Sequence, residues 1–289
     1  RGLGDVYKRQ EGSKGLRSIQ RKGSNSFEAL NEPIILDGPY SNSAFDIVCK
    51  NDKVYMIIGG KDLLNGKRFD KGGYILTYDY DKWSFIDPKE AQKKLNLPRN
   101  PRDYTSIAVT TDDSNDEIVY ASSMGDGVIQ YKNGTPVQSY NEKNAFKETA
   151  GGYGSGYCYI DGLAFDKNGN LWMTSSEVNH AVLVLDKAGA WHRLDIEQLR
   201  GVYTINDILI TSTNDKWIYV PRNTPKLVMI PNSESLDEVS SYEFTTLIDT
   251  DGKELTPSNY TCVAEDKDGY IWVCLLYTSD AADDRISVD

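Results

Sequence analysis

Residues Ile160–Ser176 hold an apolar run (Leu163-Ala-Phe165), a turn (Asp166-Lys-Asn-Gly169) and a second apolar run (Leu171-Trp-Met173), and this order recurs along the chain. Two short apolar segments joined by Asp, Asn and Gly make a β-hairpin, because Asn and Gly accept the left-handed backbone a tight turn needs. A second copy runs from Tyr260 through Asp266-Lys-Asp-Gly269 to Val273. Looser copies are Tyr104–Val109 with Ile118–Tyr120, Ile205–Ile210 with Trp217–Val220, and a degenerate Phe45–Val48 with Val54–Ile58. Ile47, Ile107, Leu163, Ile208 and Val263 are equivalent, at steps of 60, 56, 45 and 55 residues.

A second hairpin follows the first in most copies: Val128–Tyr131 with Val137–Tyr140, Ala181–Leu185 with Trp191–Leu194, and Gly73–Tyr78 with Trp83–Ile86. Four strands at this spacing fit one propeller blade plus loops, for which roughly 40 to 50 residues suffice. Only Pro88–Leu95 and Asp195–Leu199 read as helices. The expected fold is all-β, a β-propeller arc of about four to five four-stranded antiparallel blades. Repeats fall near 44–88, 104–140, 158–195, 203–248 and 258–274, the last stopping after two strands, within a partial propeller spanning 44–274.

The two ends read differently. Residues 1–10 and 275–289 resemble translated sequencing adapter on a metagenomic fragment, no Met begins the chain, and 11–43 read as the remnant of a preceding segment or blade. A signal peptide, anchor or further module is expected to have been cut away, and an open arc is expected to aggregate or melt broadly.

A net charge of −11 excludes a nucleic-acid partner, which requires a basic face. No apolar run is long enough to cross a membrane as a helix. Two histidines, His180 and His192, supply too little material for a catalytic relay or a multi-histidine metal site, and read as packing or surface residues. Cys49, Cys158, Cys262 and Cys274 lie far apart without Cys-x-x-Cys spacing, so neither zinc nor a disulfide framework is indicated and buried free thiols are expected.

Asp249-Thr-Asp-Gly252 and Asp266-Lys-Asp-Gly269 start like calcium loops, but Lys253 or Tyr270 and Tyr260 or Tyr277 fill later ligand positions, which favours plain turns. The run 151–156 reads as a flexible connection between blades rather than an anion cradle. Polar residues stand just before each first strand: Thr105, Asp161, Asn206, Asp207 and Thr261. Equivalent positions of successive blades converge on a propeller axis, so these residues are the candidate ligand-binding ring; close packing at the inner rim is the alternative. No catalytic residue, metal ligand or cofactor is indicated.

Leu163–Thr174 and Val263–Val273 resemble the two-component-regulator propeller repeat. The phrases Tyr104–Val109, Ala121–Gly127, Tyr131–Gly134, Ser139–Asn144 and Ile210–Trp217 resemble the PorZ-like branch of type IX secretion surface proteins. That resemblance implies seven-bladed rings, exposure on the cell surface or in the periplasm, no catalysis by the propeller, and partners in a secretion or attachment complex to which anionic lipopolysaccharide is delivered. The acidity of the chain suits such a ligand only where Arg99, Arg102 and Lys93-Lys94 make a local basic patch, and Lys61–Arg68 is an insertion in the first repeat. Alternatives are a periplasmic sensor of a hybrid two-component regulator that binds oligosaccharide, and a propeller lyase or glycosidase, whose paired carboxylates the sequence could supply.

Overall fold

The computed structural model describes residues 6–10, 16–24, 26–29, 38–41, 43–63, 65–146, 156–248 and 250–276. A first sheet of three strands, β1 (Val6–Gln10), β2 (Leu16–Arg21) and β3 (Phe27–Ala29), lies in the stretch the sequence reading set outside the propeller. Val6–Gln10 pairs in continuous antiparallel register with Leu16–Gln20, as a run without Gly or Pro is free to do.

Four-stranded blades follow. They are β4 (Ala44–Lys50), β5 (Lys53–Ile58), β6 (Ile75–Tyr78) and β7 (Trp83–Ile86); β8 (Tyr104–Thr111), β9 (Glu117–Gly125), β10 (Gly127–Lys132) and β11 (Thr135–Tyr140). Next come β12 (Cys158–Phe165), β13 (Leu171–Ser175), β14 (Val182–Leu185) and β15 (Trp191–Leu194); then β16 (Ile208–Ile210), β17 (Lys216–Val220), β18 (Lys226–Ile230) and β19 (Tyr242–Phe244). In each blade neighbours in sequence pair antiparallel. After a small hairpin, β20 (Leu247–Ile248) with β21 (Glu254–Leu255), a fifth unit begins with β22 (Asn259–Glu265) and β23 (Ile271–Leu276). The first blade, degenerate in sequence, is regular in structure, and β23 runs on to Leu276, past the expected end of the repeat. Residues 151–155 of the glycine run lie outside the described residues.

Of the expected helices, Pro88–Leu95 forms α1, capped by Asp87, whose Oδ1 accepts the Lys89 N–H at 2.9 Å, and closed by Asn96 in the left-handed conformation. Asp195–Leu199 shortens to a 3-10 turn over Glu197–Leu199.

The turn motif works through its first residue. Asp166 Oδ1 accepts the N–H groups of Asn168 and Asn170 (2.9 and 2.8 Å), and Oδ2 accepts the indole N–H of Trp172 at 2.9 Å. Asp266 repeats this with Asp268, Tyr270 and Trp272 (2.9, 3.0 and 2.6 Å). The Asp266 carboxylate is committed to turn donors, the role the sequence favoured there over a calcium loop, while Asp249 of the other such stretch lies outside the described residues. His192 takes the position of the tryptophan in the next hairpin, with Nε2 3.0 Å from Asp186 Oδ2.

Successive blades pack face to face. In β14, Val182 and Val184 join the core shared with the fourth blade, while Leu183 and Leu185 join the core shared with the second. Alternation therefore sends every second residue to a different interface, and all four are buried. Trp172 seals the third interface, with the buried Lys216 Nζ 4.5 Å from its ring centroid. The first strands gather at the axis: β8 lies against β4 and β12, and β12 against β16. Gly162 permits that approach, since a Cβ there would lie 2.6 Å from Asp207 Oδ1 and 2.7 Å from Ile208 N.

Candidate ligand-binding site on the propeller axis

In a four-stranded antiparallel blade, the start of the first strand and the loop between the second and third strands lie at the same end. That end carries Thr105, Asp161, Asn206 and Asp207, and also the long 59–74 connection of the first blade. These four residues, with Asp46, Lys61 and Tyr219, line one cavity of about 100 Å³. Thr261 is elsewhere: in β22, its Oγ1 donates to the Cys274 carbonyl at 3.2 Å.

Within the ring the roles diverge. Thr105 is a packing residue, its Oγ1 donating to the Ile160 carbonyl at 2.6 Å. Asp161 is fully buried; its Oδ2 accepts from Ser176 Oγ at 2.5 Å, and its Oδ1 pairs with Lys61 Nζ. Lys61 Nζ also donates to the Ile205 carbonyl at 2.7 Å, so a residue of the first blade joins the third and fourth. Asn206 is buried, and neither atom of its side-chain amide has a hydrogen-bond partner. An orphaned amide beside a cavity is the mark of a polar guest, since an unpaired buried polar group costs about 1–3 kcal/mol. A cavity of this size holds a few waters or one small polar group, as each water takes about 30 Å³.

Asp207 faces Asp46, Lys61, Asp161 and Tyr219. Burial, then the nearby Asp46 charge, pushes its pKa from 3.8 to about 7. The folded protein thus keeps a proton that the unfolded chain releases near 3.8, and stability falls as pH rises from there to about 7. Asp207→Asn is expected to flatten that fall and to raise the urea midpoint at pH 8 relative to the parent. An unchanged pH slope between pH 4 and 8 would contradict this assignment.

Lys61 belongs to the inserted segment, whose described residues pair as a hairpin. It leaves β5 through Gly60 at φ 90°, where a Cβ would strike the Phe45 ring. Lys61 bridges Arg68, and the Asp62 N–H donates to the Lys67 carbonyl at 2.8 Å. The fourth blade holds the tip through Arg222, which donates to the Asn65 carbonyl. At its exit, buried Asp103 accepts the N–H groups of Asp70 and Lys71 at 3.1 and 3.0 Å.

Outside this hairpin lies a larger cavity of about 290 Å³, lined by Lys67, Arg68, Tyr159, Glu177 and Tyr203 among others, with Lys61 shared as the wall between the two. Arg68 and Arg99 place their guanidinium carbons 5.8 and 5.4 Å from the ring centroid of Tyr157. Arg99 is fixed by Asp126 at 2.7 Å, and the Arg102 N–H donates to the same carboxylate at 3.1 Å. Arg222 lies 5.5 Å from the half-exposed Tyr203 ring. Of the residues expected to make a local basic patch, Arg99 meets Arg68 at Tyr157, Arg102 is held there by its backbone N–H, and Lys93 and Lys94 lie on α1. Sequence reasoning missed Arg68 and Tyr157 because their meeting depends on the path of the insertion.

Comparison with known proteins gives the fold its relatives. The two component regulator propeller family matches residues 254–275. PorZ, an essential bacterial surface component of the type-IX secretion system of Porphyromonas gingivalis, superposes with a TM-score of 0.71 at 20% identity, over 91% of this chain and 35% of PorZ. The chain therefore spans about a third of that protein. An extracellular domain assigned to a hybrid two component system of B. thetaiotaomicron gives a TM-score of 0.39 at 14% identity (94% and 38% covered). A protein assigned as a 6-phosphogluconolactonase from Bacteroides uniformis gives 0.44 at 12% (93% and 79% covered). No curated protein sequence matches. No helix among the described residues is long and apolar enough to cross a membrane. The chain is a β-propeller segment similar in fold to PorZ, and residues 254–275 match the two component regulator propeller family.

Proposed function

We propose that this chain is the ligand-binding propeller of a cell-surface or periplasmic protein, and that it takes an anionic oligosaccharide on the axial face between the inserted hairpin and Tyr157. The carrying observation is the pair Arg68 and Arg99, whose guanidinium carbons lie 5.8 and 5.4 Å from the centroid of one Tyr157 ring, with Arg68 itself lining the 290 Å³ cavity, in a chain of net charge −11. Guanidinium groups fork onto carboxylate or phosphate oxygens, and tyrosine rings cover the apolar faces of sugars. The cavity is of the order of the smallest ligand pockets, which run from about 300 Å³ upward, whereas the inner cavity is well below that range. Binding rather than catalysis suits this arrangement, because Asp161 is taken up by Lys61 and Ser176, and Asp207 stands behind the hairpin.

The similarity to PorZ supports placing the chain in a secretion or attachment assembly, with the glycan of lipopolysaccharide as the natural ligand class. The repeat at 254–275 favours a second reading, an oligosaccharide sensor of a two-component regulator. Calorimetric titration with a uronate-bearing oligosaccharide and its neutral counterpart separates them. The first reading expects binding of the acidic form only, weakened at least tenfold in Arg68→Ala/Arg99→Ala. Equal binding of the neutral form favours the sensor, and binding of neither contradicts both.

A further inference from the structure

We propose that Cys262 and Cys274 are a cross-strand redox pair that closes into a disulfide in an oxidising compartment. The two are direct partners in the β22/β23 register, and both are exposed. Directly opposed antiparallel residues have Cα atoms about 4.5–5.5 Å apart, within the roughly 4.4–6.8 Å a disulfide spans.

At equivalent positions in other blades the second-strand side chain reaches the backbone of its first-strand partner. Ser106 opposes Ser122, whose Oγ donates to the Ser106 carbonyl at 3.2 Å, and the Gly162 N–H donates to Thr174 Oγ1 at 2.9 Å. In the fifth unit two thiols occupy this pair of sites. The other cysteines have no such neighbour: Cys49 opposes Val54, and Cys158 is buried with its thiol pushed up to about 12. The pairing is independent of the glycan reading.

Closure proceeds by exchange with a small-molecule disulfide. The Cys262 thiolate attacks one sulfur and expels a thiol; the Cys274 thiolate then attacks Cys262 Sγ and expels the second. The chain loses two protons and two electrons, and the oxidant becomes two thiols.

Incubation of the chain with oxidised glutathione at mildly alkaline pH, then alkylation, trypsin and mass spectrometry, tests this. Cleavage after Lys267 separates the two cysteines, so the expected result is a pair of peptides that stay linked until a reductant is added. Cys274→Ser is expected to hold Cys262 as a stable glutathione adduct. Alkylation of both cysteines, glutathione on both, or a Cys262 link to a second chain would each overturn the proposal.

Discussion

Lys61→Met is expected to destabilise the protein by about 3–5 kcal/mol at pH 7, the cost of leaving a buried charge without its partner. Asp161 has no exposed side-chain surface, Lys61 is 2% exposed, and only Ser176 would remain on the carboxylate. Against a total stability of roughly 5–15 kcal/mol, a loss of that size is severe. Without the ammonium, burial raises the Asp161 pKa further, so the folded protein gains affinity for a proton. The variant should lose stability more steeply than the parent as pH rises through the carboxyl range, and recover part of it toward pH 4. Adding Asp161→Asn should restore much of the loss, which a double-mutant cycle in urea reports as a positive coupling. The hairpin should also loosen, seen as faster proteolysis after Lys67 or Arg68. A loss below about 1 kcal/mol with no coupling would mean that the pair does not hold the hairpin, as for ordinary surface pairs.

Trp172→Ala is expected to cost about 3–5 kcal/mol, whereas Trp272→Ala should cost less than about 1 kcal/mol. Both occupy the same place in the same motif, and both indole N–H groups bond the turn aspartate. Trp172 is 2% exposed and carries Lys216 on its ring; Trp272 is 65% exposed. Removing Trp172 opens a void between two blades and leaves Lys216 buried beside it, while removing Trp272 uncovers only a surface turn. Equal denaturation midpoints for the two variants would show that the hairpin, rather than the interface, sets stability.

That contrast marks what can be read from the chain. The hairpins were legible because the Asp-Lys-Asx-Gly turn and its flanking apolar runs are local, and one aspartate closes each turn through atoms within six residues. The convergence of Thr105, Asp161, Asn206 and Asp207 followed from equivalence among repeats. Burial was not legible, since Trp172 and Trp272 differ only in what lies against them. Neither was the contact from Lys61 to Asp161, one hundred residues away, because an insertion has no counterpart in the other repeats from which to infer its path. The Cys262 to Cys274 pairing did have a signal: counting four residues outward on each side of the Asp266 and Tyr270 closing pair brings them opposite each other. Sequence distance, and the expectation that free thiols are buried, hid it.

Ligand binding on the proposed axial face would shield the inserted hairpin and the strands beside it. Hydrogen–deuterium exchange on the chain, with and without a saturating uronate-bearing oligosaccharide, tests that directly. Slowed exchange confined to 59–71, 99–104, 157–159 and 203–206 is the expected result. Protection confined to the outer strands β11, β15 and β19, or no change at saturation, would contradict it.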